Sequence, residues 1–326
     1  MLRSFAPLRI TGAALLLLTV AARGDLKIYL AGNPSDVCPK LYGPVLDLGG
    51  SSAEPSGLQG MVDAVRGCAG CDAKVDAVII RASGGQGLNP VFMALKGVDS
   101  AETLLITDRD SANRRDIERK VRNAEIVWFA GGDQCNYIRW IKGTRVHRAI
   151  ESVYKRGGGV GGNSAGLAIQ GGVVYDACPD VSASSKEVLA NPFHRDVSLS
   201  LDFFHWPALR DTITDTHFHQ RDRFGRLVVF LARTYAGKRI DGLGVDEQTS
   251  VIVTPDQKGK VVGAGAVYLL VVDHPAEVLE RGNPLTYRGL KVWKFTAGDT
   301  IDLARRPTES FRILDVVEGK LSGEPY

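Results

Sequence analysis

The chain has 326 residues, of which 44% are hydrophobic and 24% charged, and its formal net charge is +3. This composition is typical of a globular protein that buries a full core, and it excludes a largely disordered chain. Three of the 40 basic residues lie in residues 1–24, which contain no acidic residue, so the remainder carries 37 basic and 37 acidic residues. A chain without net charge lacks the basic surface that a nucleic-acid partner requires.

Residues 1–24 have the layout of a secretory signal peptide. Arg3 and Arg9 flank the polar start, and the apolar run over 10–22 is shorter than the roughly 20 residues of a membrane-spanning helix. Small residues follow, and we place the cleavage site near Gly24/Asp25. An uncleaved anchor or a buried N-terminal helix is the alternative. We therefore expect a secreted protein, extracellular or periplasmic, with no membrane contact after cleavage.

Short β-rich runs alternate with helical patterns through most of residues 25–326. This alternation predicts a single α/β domain with a doubly wound, mainly parallel sheet flanked by helices. The clearest strands are predicted over 75–81, 103–107, 126–130 and 159–162, and helices over 111–124 and 145–155. Ligands bind beyond the carboxyl ends of such strands.

The C-terminal part of the chain is rich in β-patterns. Strands are predicted over 243–246, 250–254, 266–272 and 291–295. We expect this β-rich extension to add strands at the edge of the sheet.

The five cysteines are too dispersed for a disulfide scaffold, although an exported chain permits one or two bridges and leaves one thiol over. They lie at positions 38, 68, 71, 135 and 178. Cys68-Ala-Gly-Cys71 lacks the second pair of a zinc ribbon, so it is interpreted as a local disulfide or two idle thiols.

Gly162-Asn163-Ser164-Ala165-Gly166 follows a predicted strand and precedes a helical pattern, which is the setting of a nucleophile elbow. A serine on such a turn has a strained backbone, and glycines two positions before and after it leave the necessary room. The turn also aims the Ala165 N–H at a developing oxyanion.

A second glycine-containing loop, over 130–134, follows the strand at 126–130 and is expected beside the elbow. Gly132 is the candidate for the other oxyanion donor. Asp133 is equally suited to cap the helix that follows, and both roles are compatible.

A third segment, over 215–227, is dense in imidazoles and guanidiniums. One of its histidines, His217 or His219, is the natural base for a serine nucleophile. A fourth segment, Gly244-Val245-Asp246-Glu247-Gln248-Thr249, offers a carboxylate that could orient the imidazole.

Together these four segments resemble the cyanophycinases and the related aspartyl dipeptidases. The motifs that carry the resemblance are FAGGDQ at 129–134, GGNSAG at 161–166, DTHFHQRDRFGRL at 215–227 and GVDEQT at 244–249. The resemblance extends over roughly residues 75–255. It implies a class I glutamine-amidotransferase-like, flavodoxin-like fold and a serine peptidase that hydrolyses aspartyl, especially β-aspartyl-arginine, peptide bonds without metal or cofactor.

By the same resemblance Ser164 is the nucleophile, His217 the base and Glu247 the orienting carboxylate. The substrate is expected to be a peptide or a cyanophycin-like polymer, and a homodimer is left open. Further residues fall where the family keeps substrate-pocket or loop-anchoring side chains, namely Asp133, Gln134, Asp215, Arg221, Arg223 and Arg226.

Thr216 and His219 stand where a cyanophycinase would have Gln and Ser, so an α-aspartyl or isoaspartyl dipeptidase is an alternative. An inactive extracellular peptide-binding relative is another. An α/β-hydrolase esterase would need a histidine after the acid, such as His274. A metal hydrolase would use Asp215, His217 and His219 as ligands.

Overall fold

The computed structural model describes residues 26–179 and 181–326. The predicted signal peptide and its cleavage site lie outside the described residues. Within the described ranges no helix combines the length and the apolar character needed to cross a membrane.

The strands of the described chain vary from two to ten residues. They are β1 (Lys27–Gly32), β2 (Val45–Gly49), β3 (Val75–Arg81), β4 (Val98–Leu105), β5 (Ile126–Phe129), β6 (Gly159–Asn163), β7 (Val173–Tyr175), β8 (Leu199–Leu201), β9 (Thr212–Asp215), β10 (Ile240–Val245), β11 (Thr249–Val253), β12 (Lys258–Gly263), β13 (Ala266–Val272), β14 (Tyr287–Thr296), β15 (Thr300–Asp302), β16 (Arg312–Val317) and β17 (Lys320–Leu321).

The α-helices lie mostly between the strands of the first two thirds of the chain. They are α1 (Pro55–Arg66), α2 (Asn89–Met93), α3 (Arg109–Ala112), α4 (Arg115–Asn123), α5 (Gln134–Ile141), α6 (Arg145–Lys155), α7 (Ala165–Ala168), α8 (Ser185–Ala190) and α9 (Phe224–Thr234), and a 3₁₀ turn spans Pro207–Leu209.

The first sheet has the strand order β1-β4-β3-β5-β6-β2-β11-β12-β15. Its central strands, β4, β3, β5, β6 and β2, are parallel, and antiparallel strands complete both edges. The carboxyl ends of the parallel strands therefore meet at one edge, where α/β proteins bind ligands.

The second sheet has the order β17-β16-β14-β13-β10-β9-β7-β8. Within the described residues its parallel pairs are β7 with β9 and β9 with β10, and its other neighbouring strands pair antiparallel. The prediction for the C-terminal strands needs correction here, because β11, β12 and β15 extend the first sheet while β10, β13, β14, β16 and β17 build the second.

The central strands of both sheets are buried on both faces, so the fold is layered. Along β3, Val78 and Ile80 pack into the large core that the first sheet shares with Leu243 of the second sheet. Ile79 points to the opposite face, into the core under α1. A third core lies between the second sheet and α9. This α/β architecture is the predicted one, with the second sheet as an addition.

Candidate active site

Ser164 lies on the sharp turn between β6 and α7. Its φ is +53° and its ψ −118°, a conformation that residues with a side chain rarely adopt. A Cβ on Gly162 would approach the Gly166 backbone to 2.5 Å, and one on Gly166 would approach the Phe129 carbonyl oxygen to 2.0 Å. Close backbone packing therefore requires glycine at both positions flanking the turn.

The Ser164, His217 and Glu247 side chains form a hydrogen-bonded chain. Ser164 Oγ lies 2.8 Å from His217 Nε2, and His217 Nδ1 lies 2.5 Å from Glu247 Oε1. These residues follow β6, β9 and β10 respectively. The site is thus assembled where the carboxyl ends of strands from both sheets meet.

The imidazole is buried, whereas the carboxylate of Glu247 is partly exposed. Burial lowers the pKa of His217 below its ordinary value, the hydrogen bond to Glu247 opposes this shift, and the positive charges of Arg221 and Arg223 add to it. His217 is therefore neutral near pH 7 and can accept a proton from Ser164.

Two backbone N–H groups are available beside the serine. A Cβ on Gly131 would lie 3.3 Å from Ser164 Cβ, so the loop after β5 is in contact with the elbow. Within the described chain neither the Gly132 nor the Ala165 N–H donates a hydrogen bond to a backbone carbonyl. Both groups therefore remain candidates for the oxyanion donors that the sequence predicts.

Asp133 and Gln134 begin the helix that follows this loop. The Asp133 carboxylate accepts a hydrogen bond from the Cys135 N–H at 2.8 Å, so it caps α5. Gln134 Nε2 donates to the Tyr175 carbonyl oxygen over 3.4 Å. Gln134 therefore links the start of α5 to the end of β7.

Asp215 and Arg226 form a buried ion pair. Arg226 donates from Nε to Asp215 Oδ2 at 2.8 Å and from Nη2 to Oδ1 at 2.5 Å, with both side chains 2% exposed. Arg226 also donates to Ser182 Oγ at 2.8 Å. These contacts are those of a loop anchor, one of the two roles that the sequence left open.

The other two arginines differ from each other. Arg223 Nη1 donates to the Thr216 carbonyl and hydroxyl oxygens, both at 2.9 Å, and burial lowers its pKa to about 10. Arg221 is exposed, and no hydrogen bond or ion pair of its side chain is seen in the described chain. Arg221 is thus the guanidinium of this segment that is available to a ligand.

His219 does not reach the serine. Its exposed ring stacks on Tyr326, with centroids 4.4 Å apart. Asp246 accepts hydrogen bonds from the backbone N–H groups of His219 and Ala266, at 2.9 and 3.0 Å. His217 and Glu247, rather than their neighbours, are therefore the residues joined to Ser164.

Two alternative sites receive no support. His274 bonds to Asp273 and to the Arg288 carbonyl oxygen at the protein surface. No three potential ligands among His, Cys, Asp and Glu gather into a metal site in the part of the chain that the structure describes. In particular, Asp215 pairs with Arg226 while His219 stacks away from His217.

The loop after β2 also belongs to the site, although it was not predicted from the sequence. The carbonyl oxygens of Gly49 and Gly50 accept hydrogen bonds from the Ser164 and His217 N–H groups, each at 3.0 Å. The Ser51 carbonyl oxygen accepts a hydrogen bond from the Asn163 amide. This segment therefore fixes the positions of Ser164 and His217 relative to each other. The Gly49-Gly50-Ser51-Ser52 run is the sequence feature that could have indicated such a loop.

Two disulfides are present in the described chain. Cys68 pairs with Cys71, as one of the two interpretations of that motif proposed, and Cys135 pairs with Cys178. Cys38 is free and exposed.

A serine, an imidazole and a carboxylate joined in this order have the arrangement that serine hydrolases use. The family model described as "Peptidase family S51" matches residues 97–260, which is half of the chain. This chain therefore belongs to peptidase family S51 and is a serine-type peptidase.

Curated relatives agree with this family. The chain is 27% identical over 274 residues to cyanophycinases of Synechococcus elongatus and Thermosynechococcus vestitus, covering 80% of this chain and 79% of each relative. It is 26% identical over 236 residues to the cyanophycinase of Geminocystis herdmanii, covering 71% of this chain and 81% of that one.

A solved structure supports the fold. The crystal structure of a peptidase from an acI-B1 Actinobacterium matches with a TM-score of 0.55 and 18% identity, covering 81% of this chain and 98% of that one.

Proposed function

We propose that this protein is a secreted, cyanophycinase-like serine peptidase that hydrolyses aspartyl peptide bonds through an acyl-enzyme on Ser164. The observation that carries the mechanism is the continuous hydrogen-bonded chain from Ser164 Oγ through His217 to Glu247. In this geometry each side chain has one role.

In the first step Ser164 Oγ attacks the scissile carbonyl carbon while His217 Nε2 takes the hydroxyl proton. Glu247 accepts the Nδ1–H bond and stabilises the imidazolium. The Gly132 and Ala165 N–H groups bind the oxyanion. His217 then donates the proton to the leaving amine, and water, activated by the same imidazole, releases the acyl group from Ser164.

The proposed substrate is a peptide with aspartate on the acyl side, β-aspartyl-arginine in cyanophycin or its fragments being the first choice. The cyanophycinase relatives support this proposal. Arg221 supports it too, because an unpaired guanidinium near the imidazole can bind a substrate carboxylate through two parallel hydrogen bonds. Thr216 and His219 make aspartyl dipeptides the second candidate.

The proposal of secretion rests on the signal-like residues 1–24 and on the two disulfides, which persist in oxidising compartments. Expression of the full chain followed by cell fractionation tests it. Recovery of the protein only in the cytosol, with its cysteines reduced, would contradict secretion.

Mass spectrometry of products from cyanophycin, α- and β-aspartyl peptides and peptides without aspartate tests the substrate proposal. We expect aspartyl products with wild-type enzyme and none with Ser164→Ala. Cleavage of only the peptides without aspartate would refute the substrate class and leave the serine mechanism intact.

Two arginine variants separate substrate binding from loop anchoring. Arg221→Lys should raise KM on aspartyl peptides about 10-fold without lowering the melting temperature, because a lysine cannot make the bidentate contact. Arg226→Lys should lower the melting temperature, since a lysine cannot keep the two parallel hydrogen bonds to the buried Asp215. An unchanged KM in Arg221→Lys would exclude Arg221 from the substrate site.

A further inference from the structure

The Cys135–Cys178 disulfide joins the start of α5, the helix that follows the Gly132 loop, to the loop after β7. Cys135 is fully buried at the second position of α5, next to Gln134. Cys178 lies 43 residues further along the chain, in the loop after β7, and the two Cα atoms are 4.9 Å apart. The bridge thus connects a helix that follows a strand of the first sheet to a loop that follows a strand of the second.

On the side of β5 the glycine loop is held firmly by non-covalent contacts. Tyr137, one turn into α5, donates from its hydroxyl to the Ala130 carbonyl oxygen at 2.7 Å. The Ala130 N–H donates to the Ile80 carbonyl oxygen at 3.1 Å. This end of the loop does not depend on the disulfide.

On the side of β7 the non-covalent contacts are weak. Gln134 Nε2 reaches the Tyr175 carbonyl oxygen over 3.4 Å, and Arg139 Nη2 reaches the Cys178 carbonyl oxygen over 3.5 Å. Hydrogen bonds of this length contribute little. The disulfide is therefore the strong link between the two loops.

The position of an oxyanion donor determines its catalytic effect, since the N–H must point to where charge develops. Displacements of about 1 Å in such groups can lower turnover by orders of magnitude. The disulfide at Cys135 lies three residues after Gly132 and two after Asp133. It therefore restricts the displacement of the Gly132 N–H.

From these contacts we infer that the Cys135–Cys178 disulfide positions the Gly132 N–H for catalysis, and that full turnover requires the bridge to be oxidised. This inference rests on the proposed roles of Ser164 and Gly132. Cys135 and Cys178 act through the loop and are positioning residues.

The second disulfide provides a matched control. Cys68 and Cys71 follow the C-terminal end of α1, a helix of 12 residues that begins just beyond the loop after β2. At 1.5 Å per residue they lie about 18 Å from the site edge. Removing that bridge should leave the geometry at Ser164 unchanged.

The test uses Cys68→Ala/Cys71→Ala enzyme, in which Cys135–Cys178 is the disulfide left to reduce, before and after treatment with a phosphine reductant. We expect reduction to lower kcat about 10- to 100-fold with KM changed less than about twofold, and reoxidation to restore kcat. Circular dichroism at the assay temperature should show a folded protein. The Cys135→Ser/Cys178→Ser variant should reproduce the reduced enzyme without reductant.

Full kcat in the reduced, folded enzyme would overturn the inference. A loss of activity no larger than the fraction of enzyme that reduction unfolds would overturn it as well. The labelling rate of Ser164 by a fluorophosphonate separates this result from the substrate proposal, because it requires no peptide. If Ser164 is labelled but no aspartyl peptide is cleaved, only the substrate proposal fails, and slower labelling after reduction supports the disulfide role. If Ser164 is not labelled, the nucleophile proposal and this inference both fail.

Discussion

Ser164 and His217 both have left-handed backbone conformations, with φ of +53° and +44°. Such conformations cost free energy for residues with side chains and persist only where neighbours hold them. Here the carbonyl oxygens of Gly49 and Gly50 accept their N–H groups. The loop after β2 therefore fixes the distance between nucleophile and base.

The two histidines of the segment 215–227 should respond differently to substitution. His217→Ala should lower kcat by several orders of magnitude, because it removes the group 2.8 Å from Ser164 Oγ. His219→Ala should lower kcat by less than about threefold, since it loses a surface stack on Tyr326. Steady-state kinetics on a cleaved peptide measures both, and the reverse ranking would assign the base to His219.

Replacement of the carboxylate should be less damaging than replacement of the imidazole. Glu247→Gln should lower kcat about 10²- to 10⁴-fold, because Glu247 orients and stabilises the imidazolium without touching substrate. Asp246→Asn is the matched control and should mainly lower the melting temperature, since Asp246 accepts two backbone N–H groups. A larger kcat loss in Asp246→Asn would show that Asp246 is the functional carboxylate.

The pH profile should report the lowered pKa of His217. The base must be neutral, so kcat/KM should be constant near pH 7 and fall as pH decreases through a pKa below the ordinary value of about 6.5. Glu247→Gln removes a hydrogen bond that raises this pKa, so the acid limb should move to still lower pH. An acid limb above pH 6.5 in wild-type enzyme would contradict a base desolvated by burial.

At the scale of elements, the sequence predicted β3 and α6 with their observed bounds, because β3 is a short, mostly apolar run and the apolar residues of α6 have helical spacing. It predicted β6 to within one residue. The strand β2 was missed, because Asp47 stands at its centre and a charged residue is unexpected in a strand buried on both faces. The loop that holds Ser164 and His217 follows β2, so it was missed as well.

The helix predicted over 111–124 is two helices. Asn113 ends α3, and its side-chain amide donates to the Arg109 carbonyl oxygen at 3.0 Å, a bond that competes with the helical pattern. Its side-chain oxygen also accepts a hydrogen bond from the Arg145 N–H at the start of α6. Such a tertiary contact is not visible in local periodicity.

At the scale of the whole molecule, the motifs indicated the three side chains that the structure joins by hydrogen bonds, but not the second sheet, whose strands β9 and β10 precede two of them. Strands β10 and β13 pair with each other, yet β10 also pairs with β9, which lies before α9 in the chain. Pairing over such separations depends on packing that composition and alternation do not encode. The expected edge position of the C-terminal strands was therefore right for only some of them.

The buried carboxyl of Asp47 should make the stability of the fold depend on pH. Neither of its oxygens has a partner at full hydrogen-bond geometry in the described chain. Burial raises the pKa of Asp47 from 3.8 to about 7, and the neighbouring Ser250 hydroxyl opposes this shift. Below pH 3.8 the carboxyl is protonated in both the folded and the unfolded state, and stability is lost as the pH rises through about 7. Asp47→Asn should thus stabilise the protein by a few kcal/mol at pH 8, because each tenfold change in proton affinity corresponds to about 1.4 kcal/mol. The same substitution should have little effect at pH 4.

Urea unfolding at the two pH values measures this difference. Asp72→Asn, at an exposed carboxyl, is the control for loss of a charge. Its free energy of unfolding should equal that of the wild type at both pH values. Equal effects of Asp47→Asn at pH 4 and pH 8 would contradict a protonated Asp47 in the fold.

The catalytic role of Ser164 is tested most directly by locating the covalent adduct formed by a fluorophosphonate. Peptide mapping by mass spectrometry should place the adduct on Ser164 in wild-type enzyme, with no labelling of Ser164→Ala and labelling slowed by orders of magnitude in His217→Ala. An adduct on another residue, or undiminished peptide hydrolysis by Ser164→Ala, would show that the Ser164–His217–Glu247 chain is not the catalytic machinery.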